Sequence, residues 1–263
     1  MAVVDRDLIE RITREVIEQI SKASGGSLSP GGNEASQPGS LTPEKLAQYI
    51  DHTLLKAEAK PADIEKLCAE AMQYRFFSVC VNGSNVAQCA KLLQGSGVKV
   101  CAVVGFPLGA MISKAKAYET SMAIEDGARE IDMVMNIAAM KAGNLKLVEE
   151  DMIAVRKACG STALLKVIFE NCLLTTEEIV KACEIAKNAG LDFVKTSTGF
   201  STAGATIEHI ALMRKTVGPV MGVKAAGGVR TFADAVAMLN AGANRLGTSG
   251  GVSILKGQTV KGY

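Results

Sequence analysis

Two lysines end successive strand-like runs. Lys195 closes Asp192-Phe193-Val194-Lys195 and opens into Thr196-Ser197-Thr198-Gly199, while Lys224 follows Val220-Met221-Gly222-Val223 and opens into Ala225-Ala226-Gly227-Gly228. A cation at the end of an apolar strand is costly unless chemistry needs it. Two cations on neighbouring strands lower one another's pKa, and a lysine held neutral is a nucleophile that forms an imine with a carbonyl. The spacing therefore points to Schiff-base chemistry, with Lys195 first among the nucleophiles. Lys166, deeper in Leu164-Leu165-Lys166-Val167-Ile168, stays an alternative, free instead to pair with a carboxylate inside its strand. Asp132, flanked by Ile131 and Met133, is the carboxylate placed to move protons; the other reading makes it a structural acid satisfied by a lysine.

These residues need a frame that brings strand ends together. From Leu41 onward, strand-like runs fall near 49–54, 76–81, 98–104, 129–135, 163–169, 191–196, 220–225 and 243–247. Helical patterns lie between them, as at 61–73, 114–126, 176–189 and 232–241, with Gly127, Gly190 and Gly242 where helices should stop. Eight strands in strict alternation with helices predict a closed (β/α)8 TIM barrel, and 263 residues suit one such domain. The competing open doubly wound sheet lacks its glycine-rich GxGxxG signature.

In such a barrel the active site lies at the C-terminal strand ends, which read here as Asp51, Cys80, Gly105-Phe106-Pro107, Asp132, Lys166, Lys195, Lys224 and the 247–251 turn. Gly199, Gly227-Gly228 and the Gly247-Thr248-Ser249-Gly250-Gly251 turn follow the last three strands. Each alone reads equally well as a tight turn. Clustered on one rim, they predict a phosphate cradle of backbone N–H groups, with Arg230 adding charge.

Composition excludes other classes. Net charge is +2 and aromatics are 4 %, so no basic stripe with stacking rings points to nucleic acid. Two histidines, His52 and His209, are too few for a three-histidine metal site, so no metal and no organic cofactor is expected. Seven cysteines without a CxxC pair read as reduced thiols of a cytosolic protein, packed as small hydrophobes. The longest apolar run, 100–112, is too short to span a bilayer and carries Gly105, Pro107 and Gly109. A secretory signal is not recognisable either, so a soluble intracellular protein with no membrane partner is expected.

Residues 25–40 form a Gly/Ser/Pro-rich linker. Before it, in residues 1–24, Leu8, Ile9, Ile12, Val16, Ile17 and Ile20 make one apolar stripe on a helix predicted over residues 5–23. Such a helix is marginal alone and needs something to bind, whether the barrel's own helices, a second copy or a groove on another protein. The arrangement resembles the encapsulation peptides of bacterial microcompartments. That resemblance implies shell proteins as partners and a compartment lumen as location.

From Tyr49 to Gly251 the chain resembles the deoxyribose-phosphate aldolase family. The resemblance rests on ordered motifs that include Tyr49-Ile50-Asp51-His52-Thr53-Leu54-Leu55-Lys56, Val104-Gly105-Phe106-Pro107-Leu108-Gly109, Phe193-Val194-Lys195-Thr196-Ser197-Thr198-Gly199-Phe200 and Lys224-Ala225-Ala226-Gly227-Gly228-Val229-Arg230-Thr231. It implies reversible cleavage of 2-deoxy-D-ribose 5-phosphate to acetaldehyde and D-glyceraldehyde 3-phosphate. Lys195 would form the imine, Asp132 and Lys224 would transfer protons, and the glycine turns with Ser249 would hold the phosphate. Asp51, Lys166 and the terminal Tyr263 would be accessory, Tyr263 as a proton carrier, and a homodimer is implied. Three positions depart from the family: Asn82-Gly83-Ser84-Asn85 stands where Asn-Pro-Ser-Tyr is common, Asn171 where threonine is usual, and Gly250 where a second serine often lies near the phosphate.

Overall fold

The computed structural model describes residues 41–260. The predicted helix over 5–23, the linker over 25–40 and Tyr263 lie outside the described residues. Eight parallel strands close into a barrel in chain order: β1 (Ile50–Leu54), β2 (Ser78–Val81), β3 (Lys99–Val104), β4 (Glu130–Val134), β5 (Leu164–Ile168), β6 (Phe193–Lys195), β7 (Gly222–Ala226) and β8 (Arg245–Thr248). Closure is made by β1 against β8, with Asp51 opposite Gly247. Helices connect successive strands, so this is the (β/α)8 TIM barrel that the alternation predicts.

Local chemistry sets the helix starts. Thr175 and Thr231 each cap a helix through the side-chain oxygen, and Glu178 and Asp234 three residues on reach back to complete capping boxes. Strand alternation then sorts side chains into two compartments. Val79, Ile131, Met133, Leu165, Val167, Val194, Val223 and Leu246 join the large apolar core between barrel and helices. Burying each such side chain stabilises by roughly 1.5–3 kcal/mol. The opposite faces point into the barrel, where a small apolar cluster of Leu55, Cys80, Cys101 and Val103 lies beside a set of charged side chains.

At the barrel floor, the Arg245 guanidinium lies 3.4 Å from the centroid of the Phe77 ring and 5.6 Å from that of Phe193. Gly222 makes room for the Phe193 ring, since a Cβ there would sit 2.2 Å from it. Phe77 precedes β2 and Phe193 opens β6, so both rings stand at the N-terminal strand ends.

Candidate active site

Register decides which charges meet. Lys166 on β5 lies opposite Asp132 on β4, Lys195 on β6 opposite Lys224 on β7, and Lys224 opposite Arg245 on β8. All point inward and all are buried. Asp132 is the hub: its Oδ1 accepts from Lys166 Nζ at 2.8 Å and from Cys101 Sγ at 3.2 Å, and its Oδ2 accepts from Lys195 Nζ and Lys224 Nζ, each at 2.7 Å. Lys166 also donates to Glu130 at 2.6 Å, Lys224 pairs with Asp51, and Arg245 donates to Asp51 at 2.8 Å. Ser78 Oγ completes the shell of Asp51 at 2.6 Å.

Three carboxylates (Asp51, Glu130, Asp132) thus face four cations (Lys166, Lys195, Lys224, Arg245) in one connected ladder. One positive charge is in surplus. Burial raises the pKa of Asp132, but the charges of Lys166, Lys195 and Lys224 outweigh it and hold the carboxyl well below the usual range. Burial likewise disfavours charged Lys224, yet Asp132 and Asp51 raise its pKa above that of a free lysine, so Lys224 stays an ammonium. Lys166 is held charged in the same way, against burial, by Asp132 and Glu130 among its neighbours. Lys195 has one carboxylate partner among the described residues, and the ammonium of Lys224 stands beside it on the same Asp132 oxygen.

A cavity of about 250 Å³ opens over this ladder. Of the seven ladder side chains, Lys195 alone lines it, together with Gly199, Gly227, Gly228, Gly247, Ser249 and Arg230. The five residues expected to bind phosphate therefore share one cavity wall with the expected nucleophile. The wall is built from backbone at close range. A Cβ on Gly204 would lie 2.3 Å from the carbonyl carbon of Gly227, and Gly227 itself takes φ 73°, a conformation side chains disfavour. Ala205 N–H donates to Gly227 O at 2.9 Å and locks the two loops together.

Several expectations are refined by depth. Asp132, Lys166 and Lys224 lie two residues, and Asp51 three, before the last residues of their strands; of the five, only Lys195 is the last residue of its strand. Lys166 pairs with a carboxylate, as its alternative reading allows, and has two of them. Sequence reasoning missed Glu130 and Arg245, and Glu170 and Gly204 near the rim. Glu130 carries a legible signal, since it precedes Asp132 by two and shares its face of the strand. Arg245 carries none: a charge opening a strand after a helix reads as exposed, and its burial is explained by partners distant in sequence, Asp51, Glu130 and the Phe77 ring. All seven cysteines are free thiols, six of them buried and Cys172 partly exposed, as their apolar surroundings suggest.

Residues 45–257 match the sequence profile described as DeoC/LacD family aldolase. The chain belongs to this family. Among its relatives, the "Deoxyribose-phosphate aldolase" of Geobacillus sp. (strain WCH70) is 61 % identical over 215 residues, covering 82 % of this chain and 96 % of the relative. The protein of the same name from Streptococcus gordonii (strain Challis) is 60 % identical over 218 residues, 83 % of this chain and 99 % of the relative. The tetrameric deoxyribose phosphate aldolase of Aeropyrum pernix superposes with a TM-score of 0.77 at 32 % identity, over 92 % of this chain and 96 % of that one. Among the described residues no helix is long and apolar enough to cross a membrane.

Proposed function

We propose that this DeoC/LacD family member is a deoxyribose-phosphate aldolase, cleaving 2-deoxy-D-ribose 5-phosphate reversibly through an imine on Lys195. The observation that carries the reading is Lys195 at the foot of a glycine-walled cavity, its Nζ 2.7 Å from a carboxylate that a second lysine already neutralises. Neutral Lys195 attacks C1 of the open-chain sugar, and loss of water leaves a protonated imine. That cation draws the electrons of the C2–C3 bond as the C3 hydroxyl loses its proton, releasing D-glyceraldehyde 3-phosphate and leaving an enamine. Protonation at C2 and hydrolysis then free acetaldehyde and restore Lys195. Asp132 and Lys224 relay the protons, while Asp51 and Lys166 keep their charges in register. The loops of Gly199, Gly227, Gly228, Gly247 and Ser249 hold the phosphate, whose remote binding energy orients the reacting carbons. The chemistry runs on these side chains without metal or organic cofactor.

The test is intact mass after borohydride reduction with acetaldehyde, followed by peptide mapping. A single two-carbon adduct on Lys195 is expected. An adduct on Lys166 or Lys224 moves the nucleophile, and no adduct on folded protein sinks the aldolase reading.

Tyr263 acts as the proton carrier to C2. Support comes from Val260, three residues earlier, which lines the cavity and donates its N–H to Arg230 O at 2.9 Å. Deleting Tyr263 should slow hydrogen exchange at the acetaldehyde methyl; unchanged exchange removes the idea.

The segment before the barrel is an address. The two curated relatives are matched over 96 % and 99 % of their own lengths, while 17–18 % of this chain lies outside the matches. The stripe from Leu8 to Ile20 fits a docking helix for a microcompartment shell, with residues 25–40 as tether. Confining a reactive aldehyde would be the gain. Residues 1–24 fused to a fluorescent protein should enter shell particles on co-expression, and diffuse fluorescence would leave self-association as the stripe's role. A homodimer is the assembly proposed, and sedimentation separates it from a tetramer like that of the Aeropyrum relative.

A further inference from the structure

Two residues after the end of β5, Glu170 adopts the left-handed conformation (φ 59°, ψ 62°) with its side chain buried. Arg75, the other described non-glycine residue with positive φ, simply ends a helix. Glu170 ends none. A buried acid in a disfavoured backbone conformation is doubly costly, and such residues gather where geometry must be fixed.

Its surroundings show what is fixed. On either side, Phe169 N–H donates to Lys195 O and Asn171 N–H to Thr196 O, each at 3.0 Å. Between these two anchors the left-handed turn swings the Glu170 carboxylate onto Thr198. Both carboxylate oxygens accept from Thr198 N–H at 3.3 Å, and Thr198 Oγ1 donates to Oε2. The same Oγ1 accepts from Phe200 N–H at 3.0 Å. Thr198 and Gly199 line the cavity, whereas Glu170 does not. Burial pushes the Glu170 carboxyl above its ordinary pKa, and its bonds to Thr198 and the charge of Lys195 pull the other way.

We propose that Glu170 is a positioning residue that clamps the Thr198–Gly199 lip above Lys195, so that the phosphorylated end of the substrate meets a preset turn. This rests on the aldolase reading of the cavity. The clamp explains why the segment leaving β6 holds its shape although it has left the sheet: the segment leaving β5 grips it through three successive residues, Phe169, Glu170 and Asn171.

The test compares Glu170→Gln, Thr198→Val, Thr198→Ser and the Gln/Val double variant. Steady-state cleavage of 2-deoxyribose 5-phosphate is measured together with borohydride trapping by acetaldehyde. Glu170→Gln should raise KM about tenfold, the scale of one charged hydrogen bond, with kcat within about twofold and trapping unchanged. Thr198→Val should raise KM similarly, Thr198→Ser should restore it, and the double variant should be no worse than the worse single. Wild-type KM in Glu170→Gln, or strictly additive effects in the double variant, would overturn the clamp. A loss of KM, kcat and trapping together would show general disruption and overturn it as well. Should Glu170→Gln fail to fold, the Val/Ser contrast at Thr198 decides alone. Failure of the wild type to trap acetaldehyde is a different result, and strikes the aldolase reading itself.

Discussion

Lys195 and Lys224 donate to the same oxygen of Asp132, each at 2.7 Å. Lys224 has a second carboxylate in Asp51, whereas Lys195, among the described residues, has the shared oxygen and faces the open cavity.

Lys224→Met should therefore impair imine formation on Lys195, because Asp132 Oδ2 loses one of its two donors and the proton relay loses a member. The value of kcat/KM should fall by about 10²–10⁴-fold. A wild-type kcat/KM would contradict the shared-acceptor account.

Pairing separates catalysis from stability. Lys195→Leu removes a cation that has one carboxylate partner, which Lys166 and Lys224 still share, and should abolish trapping while Tm stays near wild type. Lys166→Met leaves Glu130 and Asp132 short of a partner and should cost about 3–5 kcal/mol, the usual penalty for breaking a buried ion pair. Denaturant unfolding of both variants distinguishes them; equal losses would refute the pairing account.

The acid limb of stability follows from Asp132 and Asp51, whose pKa values are lowered on folding against the cost of burial. A depressed carboxylate contributes stability that is fully present above its unfolded pKa of about 3.9 and is lost as pH falls through its folded value. Stability should hold from neutrality to about pH 4 and decline below it. Lys166 and Lys224, raised on folding, act oppositely: their contribution is complete below about pH 10.4 and lost on the alkaline side. Urea unfolding across pH checks both signs.

Gly204→Ala tests the phosphate wall. Its Cβ would stand 2.3 Å from the Gly227 carbonyl carbon, so one loop must move. Cleavage of the phosphorylated sugar should fall at least tenfold through KM, while acetaldehyde still traps Lys195. Unchanged KM would place the phosphate elsewhere.

By itself the sequence determined the alternation of strands and helices, because β-rich runs, caps and helix-ending glycines are local signals. It also marked Lys195, Lys224 and Asp132, since an ionised side chain in an apolar strand is improbable without a task. Glycine turns after the last three strands were legible for the same local reason. What only the tertiary structure decided was partnership and depth. Closing β1 onto β8 brings Asp51 and Arg245, 194 positions apart, within 2.8 Å, and no local pattern encodes that contact. Which lysine shares its carboxylate and also faces the cavity emerges only when all eight strands point their alternate residues at one axis. Glu170 is the sharpest case. Its letter in Phe169-Glu170-Asn171 reads as a loop acid at the surface, and only the left-handed turn above a neighbouring strand buries it against Thr198.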